Sequence, residues 1–165
     1  MTVRATLESH LGSRQVARVV YGAIIGLTLI VAVEDHPPSA AVMAAWLVLT
    51  GVTVALAEVY SEVIGVETSE RHRVTRHQLA HLLGQGWAVL LGVAFPAVFF
   101  LLAAVGVLEL HTAFASARWS GLSLIGFYGY WAARFAGAPV PRALAQAAAV
   151  ATIGALVIAF KVLLH

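Results

Sequence analysis

The side chains best suited to chemistry lie in one stretch of this sequence, Ala57 to Gln85. It holds four of the eight acidic residues (Glu58, Glu62, Glu67, Glu70) and three of the seven histidines (His72, His77, His81), between long apolar runs. Glu58 and Glu62 are four apart, and His77, His81 and Gln85 repeat that spacing, so on helices each set lines one face. Two helices joined by a short basic turn would bring carboxylate oxygens opposite imidazole nitrogens. That donor set suits iron, manganese or zinc as divalent ions without selecting sharply among them, and the same groups carry protons. A divalent cation leaving water needs replacement oxygen or nitrogen ligands, and two carboxylates one turn apart supply part of that shell while exchanging metal for protons. The expected metal ligands are therefore Glu58, Glu62, His77 and His81, around a transported ion, with no resident cofactor. Each group also has a plainer reading. The glutamates can mark the interfacial end of a helix, paired with Arg71 or Arg73; His77 can be a solvated neighbour of Arg76; Gln85 can be a helix-packing hydrogen bond.

The elements that must position these residues are membrane helices. The 165 residues are 61% hydrophobic and 11% charged with a mean hydropathy of +0.89, whereas soluble domains carry about 25% charged residues. The lipid bilayer is thus the expected partner. Absence of cysteine excludes thiolate metal sites, disulfides and a cysteine nucleophile. A pI near 9.4 could point to nucleic acid, but the arginines are scattered beside apolar segments and form no continuous patch, so no nucleic-acid partner is expected.

The fold class expected is an all-α polytopic membrane protein of five transmembrane helices, a single domain over residues 1–165. The spans run over about 17–33, 40–64, 78–107, 112–135 and 142–164. Residues 2–14 form either a short interfacial helix, with Val3, Leu7 and Leu11 aligned, or a frayed leader. The charged leader and first apolar run resemble a signal peptide but lack a small-x-small cleavage site, which predicts a retained span. Arg18 is expected to snorkel out of span 1. Gly22 and Gly26 form a G-x-x-x-G pair for close helix approach, within the chain or at a dimer seam. Pro37-Pro38-Ser39 starts span 2, and Pro96 should kink span 3. Arg118, inside span 4, is expected to snorkel past Trp119. Glu34, Asp35, His36, Glu109 and His111 make an acidic outer patch, read as polar turns or as an exit site. Eight of the ten basic residues (Arg4, Arg14, Arg18, Arg71, Arg73, Arg76, Arg134, Arg142) then fall on one side, which the positive-inside rule makes cytoplasmic. The amino terminus is inside and the carboxyl terminus outside, in what is expected to be the plasma membrane of a bacterium.

Four segments carry a resemblance along the whole length. Val20-Tyr21-Gly22-Ala23-Ile24-Ile25-Gly26 is similar to a Y-G-A-x-D-G run, and Ala57-Glu58-Val59-Tyr60-Ser61-Glu62-Val63-Ile64-Gly65 to an A-D-G-L-S-M-x-x-G segment. Gly92 to Pro96 matches a glycine-to-proline step, and Gly129 to Gly137 a turn between the last two helices. In this order they resemble the vacuolar iron transporter family. The resemblance implies five membrane helices, an inward amino terminus, a homodimer through span 1, and a metal path along the subunit interface. Ile25 stands where that family has an aspartate and Glu62 where it has a methionine. The cytoplasmic metal-binding domain between helices 2 and 3 is missing, because the loop is short.

No G-x-S-x-G, H-E-x-x-H or phosphate-binding glycine loop occurs, so no enzyme is expected. Two functions remain. One is a divalent-cation transporter coupled to protons with Glu58 and Glu62 in the path. The other is a membrane scaffold or assembly protein of the same fold without transport.

Overall fold

The computed structural model describes residues 14–71 and 73–164, so the leader and His72 lie outside the described residues. Every regular element among them is helical: α1 (Arg14–Val33), α2 (Ala40–Glu70), α3 (Arg76–Ala94), α4 (Ala97–Ala104), α5 (Leu110–Phe135) and α6 (Val140–Leu164). The long apolar runs expected as spans are all helices. Two boundaries differ in an instructive way. The second helix continues to Glu70 before Arg71 turns left-handed (φ 53°). Nothing in the polar run from Gly65 onward breaks a helix: Thr68 and Ser69 bond back to carbonyls of their own helix instead of opening a loop.

The third run is two helices. Pro96 has no N–H to offer the Gly92 carbonyl, and Val98 and Phe99 bond to Phe95 and Pro96 in tighter i to i−3 turns. The chain bends there by 52°. Two helical segments, Val16–Val33 and Ala40–Ser69, are long and apolar enough to cross a membrane, and the bent pair α3–α4 makes a third if counted as one span. Those apolar helices make a bilayer the environment of the molecule. Polar residues interrupt α5 (Thr112, Ser116, Arg118, Ser120, Ser123), and α6 offers a shorter apolar run, Val140–Leu156, among the described residues.

Helices alternate in direction, leaving a basic end (Arg71, Arg73, Arg76, Arg134, Arg142) and an acidic end (Glu34, Asp35, Glu109). α1 is the central element, packed against α3 and α5 and touching α2 and α6. Half of its apolar window is buried, against 22% of that of α2, whose Leu49, Val52, Leu56 and Tyr60 face outward. The core lies along α1. Ile30, Met43, Leu47, Val93 and Phe100 fill the half nearer the acidic end, where Phe100 meets Phe114 edge-on at 4.8 Å; Ala23, Leu27 and Ile125 continue it.

Glycines bring α1 and α3 into backbone contact. A Cβ added at Gly22 would lie 2.3 Å from the Val89 carbonyl oxygen, and one at Gly92 2.3 Å from that of Val19. Gly26 faces Val93 at the next turn. The G-x-x-x-G pair is therefore used within the chain, and its face is covered by α3.

Candidate functional site

The α1–α2 hairpin decides what Glu58 and Glu62 face. Chain direction reverses over residues 34–39, so a residue some fifteen positions before the turn returns to the level of one at a similar count after it. Arg18 thus lies beside the second half of α2. Its Nε donates to Glu58 Oε1 at 2.9 Å and its Nη2 to Glu62 Oε1 at 2.7 Å. One guanidinium spans two carboxylates a turn apart, matching the fork of donors to the helical repeat.

The electrostatics of this triad are uneven. Arg18 is 8% exposed, and its Nη1 is buried without a hydrogen-bond partner. The carboxylates are wetter, with side chains 28% exposed at Glu58 and 40% at Glu62. Arg18 does not snorkel: a buried cation is tolerated because two anions meet it. Neither glutamate pairs with Arg71 or Arg73 in these ion pairs; the partner is on the preceding helix.

The histidines do not join the glutamates. On α3 the line facing α2 is marked by Gly86, where an added Cβ would lie 2.8 Å from a Val59 methyl and 3.2 Å from the Ala55 carbonyl. At 3.6 residues per turn, His81 is about 140° around the helix from Gly86 and His77 about 180°. Both are exposed. His81 Nδ1 lies 2.9 Å from Gln85 Nε2 on its own helix, so Gln85 bridges no helices through this bond. Among the described residues there is no group of three or more histidine, aspartate or glutamate side chains able to hold a metal ion. Of the four expected ligands Glu58, Glu62, His77 and His81, the described structure gathers no three into one group, because the helix rotation that turns α3 toward α2 turns its histidines away.

The loop between them has its own chemistry. Glu67 accepts from the Val74 amide at 3.2 Å, and Thr75 with Gln78 forms a reciprocal capping box that starts α3. Glu67, in the last turns of α2, thus braces the α2–α3 turn through its side chain.

A second ion pair lies toward the acidic end. Arg118 Nη1 donates to Glu34 at 2.8 and 3.0 Å to its two oxygens, joining α5 to the end of α1. Arg118 therefore does not simply snorkel past Trp119, and Glu34 is engaged within the bundle.

On the side of α1 away from Arg18, a cavity of about 430 Å³ opens between α1, α5 and α6, with Val16, Val20, Tyr128, Ala132 and Gln146 in its lining. Comparison with protein-family models, with curated proteins and with solved structures finds no match to this chain.

Proposed function

We propose that the chain is a five-span membrane protein, basic end in the cytoplasm, that works as a membrane scaffold or assembly protein and not as a cation carrier. The reading is carried by Arg18: the carboxylates that would have to bind a passing cation already hold the chain's own guanidinium. Five crossings are supported by length, since α5 and α6 have 26 and 25 residues, or roughly 39 and 37 Å at 1.5 Å per residue. The arginine bias supports the orientation.

On this reading the likeness to vacuolar iron transporters is one of fold, with the path chemistry replaced. Ile25 and the short α2–α3 turn agree with that, and Arg18 supplies internally the positive charge a transported ion would bring. A homodimer through the Gly22–Gly26 face is not part of the proposal, because α3 covers that face.

A second reading, a proton-coupled carrier of iron, manganese or zinc ions, is favoured by one observation. Two carboxylates share one arginine, and Glu62 is 40% exposed, so an entering cation would find an anion surplus that water already reaches.

Flux into proteoliposomes separates the two. The scaffold reading expects no uptake of Fe²⁺, Mn²⁺, Zn²⁺ or Co²⁺, with or without a pH gradient. Uptake by the wild type that Glu58→Gln abolishes would overturn it in favour of the carrier.

A further inference from the structure

We propose that the cavity between α1, α5 and α6 is a binding site for one anionic phospholipid, an acyl chain inside and the phosphate on Arg142. Its volume of about 430 Å³ falls within the 300–1,000 Å³ range usual for small-molecule sites. Val16, Val20 and Val150 give it apolar walls, and Ala17 and Ala132 keep it open. Tyr128 and Gln146 contribute the polar groups, and neither side chain has a hydrogen-bond partner among the described residues.

The face of α6 supplies the order of an amphiphile. Arg142, Gln146 and Val150 are four apart and share one side of the helix. Gln146 and Val150 line the cavity, and exposed Arg142 lies one turn closer to the basic end, in the first turn of the helix. Hydrocarbon, then an amide at ester depth, then a guanidinium at phosphate depth is the sequence of groups along a phospholipid. Side chains on a helix lean toward its amino terminus, which carries the guanidinium outward to the headgroup layer.

Charge selects the headgroup. Arg142 has no acidic partner among the described residues, whereas Arg18 and Arg118 are ion-paired and Arg134 Nη1 donates to the Ala138 carbonyl at 2.8 Å. An apolar cavity with an arginine one turn beyond it that has no acidic partner among the described residues fits a lipid with net negative charge better than a zwitterion. This site goes beyond the scaffold reading and depends only on the bilayer placement.

The full chain, reconstituted in vesicles of equal phosphatidylglycerol and phosphatidylcholine, is extracted in mild detergent, and retained lipid is counted by native mass spectrometry. The wild type should keep one phosphatidylglycerol per chain, favoured about fivefold over phosphatidylcholine, the preference expected of one arginine near the surface. Arg142→Gln should retain lipid with the preference lost. Ala132→Phe, which fills the cavity, should retain neither lipid, and Ala17→Leu from the opposite wall repeats that test should Ala132→Phe fail to fold. Equal retention of both lipids by the wild type, or undiminished phosphatidylglycerol on the folded cavity-filling variant, would overturn the site.

Discussion

Arg18 and Arg118 each form ion pairs from inside an apolar helix, and the two are handled differently. Arg18 is almost fully buried, meets two carboxylates from α2, and keeps one nitrogen without a partner. Arg118 is 28% exposed and meets one carboxylate, Glu34, through both its oxygens. The first is a structural commitment, because removing its acceptors strands a charge in a dry site. The second can trade its partner for water. Burial, more than bond length, decides what each pair is worth.

Breaking the buried pair should therefore give the largest effect. Glu58→Leu with Glu62→Leu leaves Arg18 without acceptors and should cost about 3–5 kcal/mol, seen as a large drop in the thermal midpoint in detergent. Adding Arg18→Met to that double variant should recover most of the loss, since a whole buried ion cluster replaced by apolar side chains is often neutral. Failure to recover would mean that the triad's geometry, and not its charge balance, is what holds α1 to α2. Next comes a contact that involves no charge. Gly92→Ala pushes a methyl toward the backbone of α1 and should cost about 1–3 kcal/mol, measured in the same melt, whether or not the triad is intact. Glu34→Gln should cost at most about 1 kcal/mol, and raised salt should shrink that difference further while leaving the Arg18 effect nearly unchanged. Smallest of all, His77→Ala and His81→Ala should shift stability by less than about 0.5 kcal/mol. They should also leave zinc or cobalt binding by calorimetry as it is in the wild type; a weakened metal affinity would revive the four-ligand site.

Much of the architecture could be read from composition and punctuation. Apolar run lengths placed the helices, and Pro96 marked the bend because a missing N–H has a local consequence. The extra turns of α2 were harder to see, since Glu67, Thr68 and Ser69 look like a loop in sequence but have enough internal acceptors to stay helical. The candidate site was half legible. Four-residue spacing identified Glu58 with Glu62 and His77 with His81 as pairs, but spacing along one helix says nothing of its rotation against a neighbour. Gly86, the residue that fixes that rotation, carries no chemistry of its own. Arg18 could have been found by counting outward from the Pro37-Pro38 turn, which sets it level with the far half of α2. Arg118 offers no such count, because Glu34 is 84 residues away in sequence.

That separation has a meaning for biogenesis. Arg18 and its acceptors belong to one hairpin, so the guanidinium leaves the ribosome together with both anions, already matched to acceptors of its own hairpin. Arg118 emerges only after α1 and α2 have been made, and its counter-charge is by then already waiting at the membrane. The late arginine is received by an early glutamate, and the last helices gain a fixed point on which to assemble.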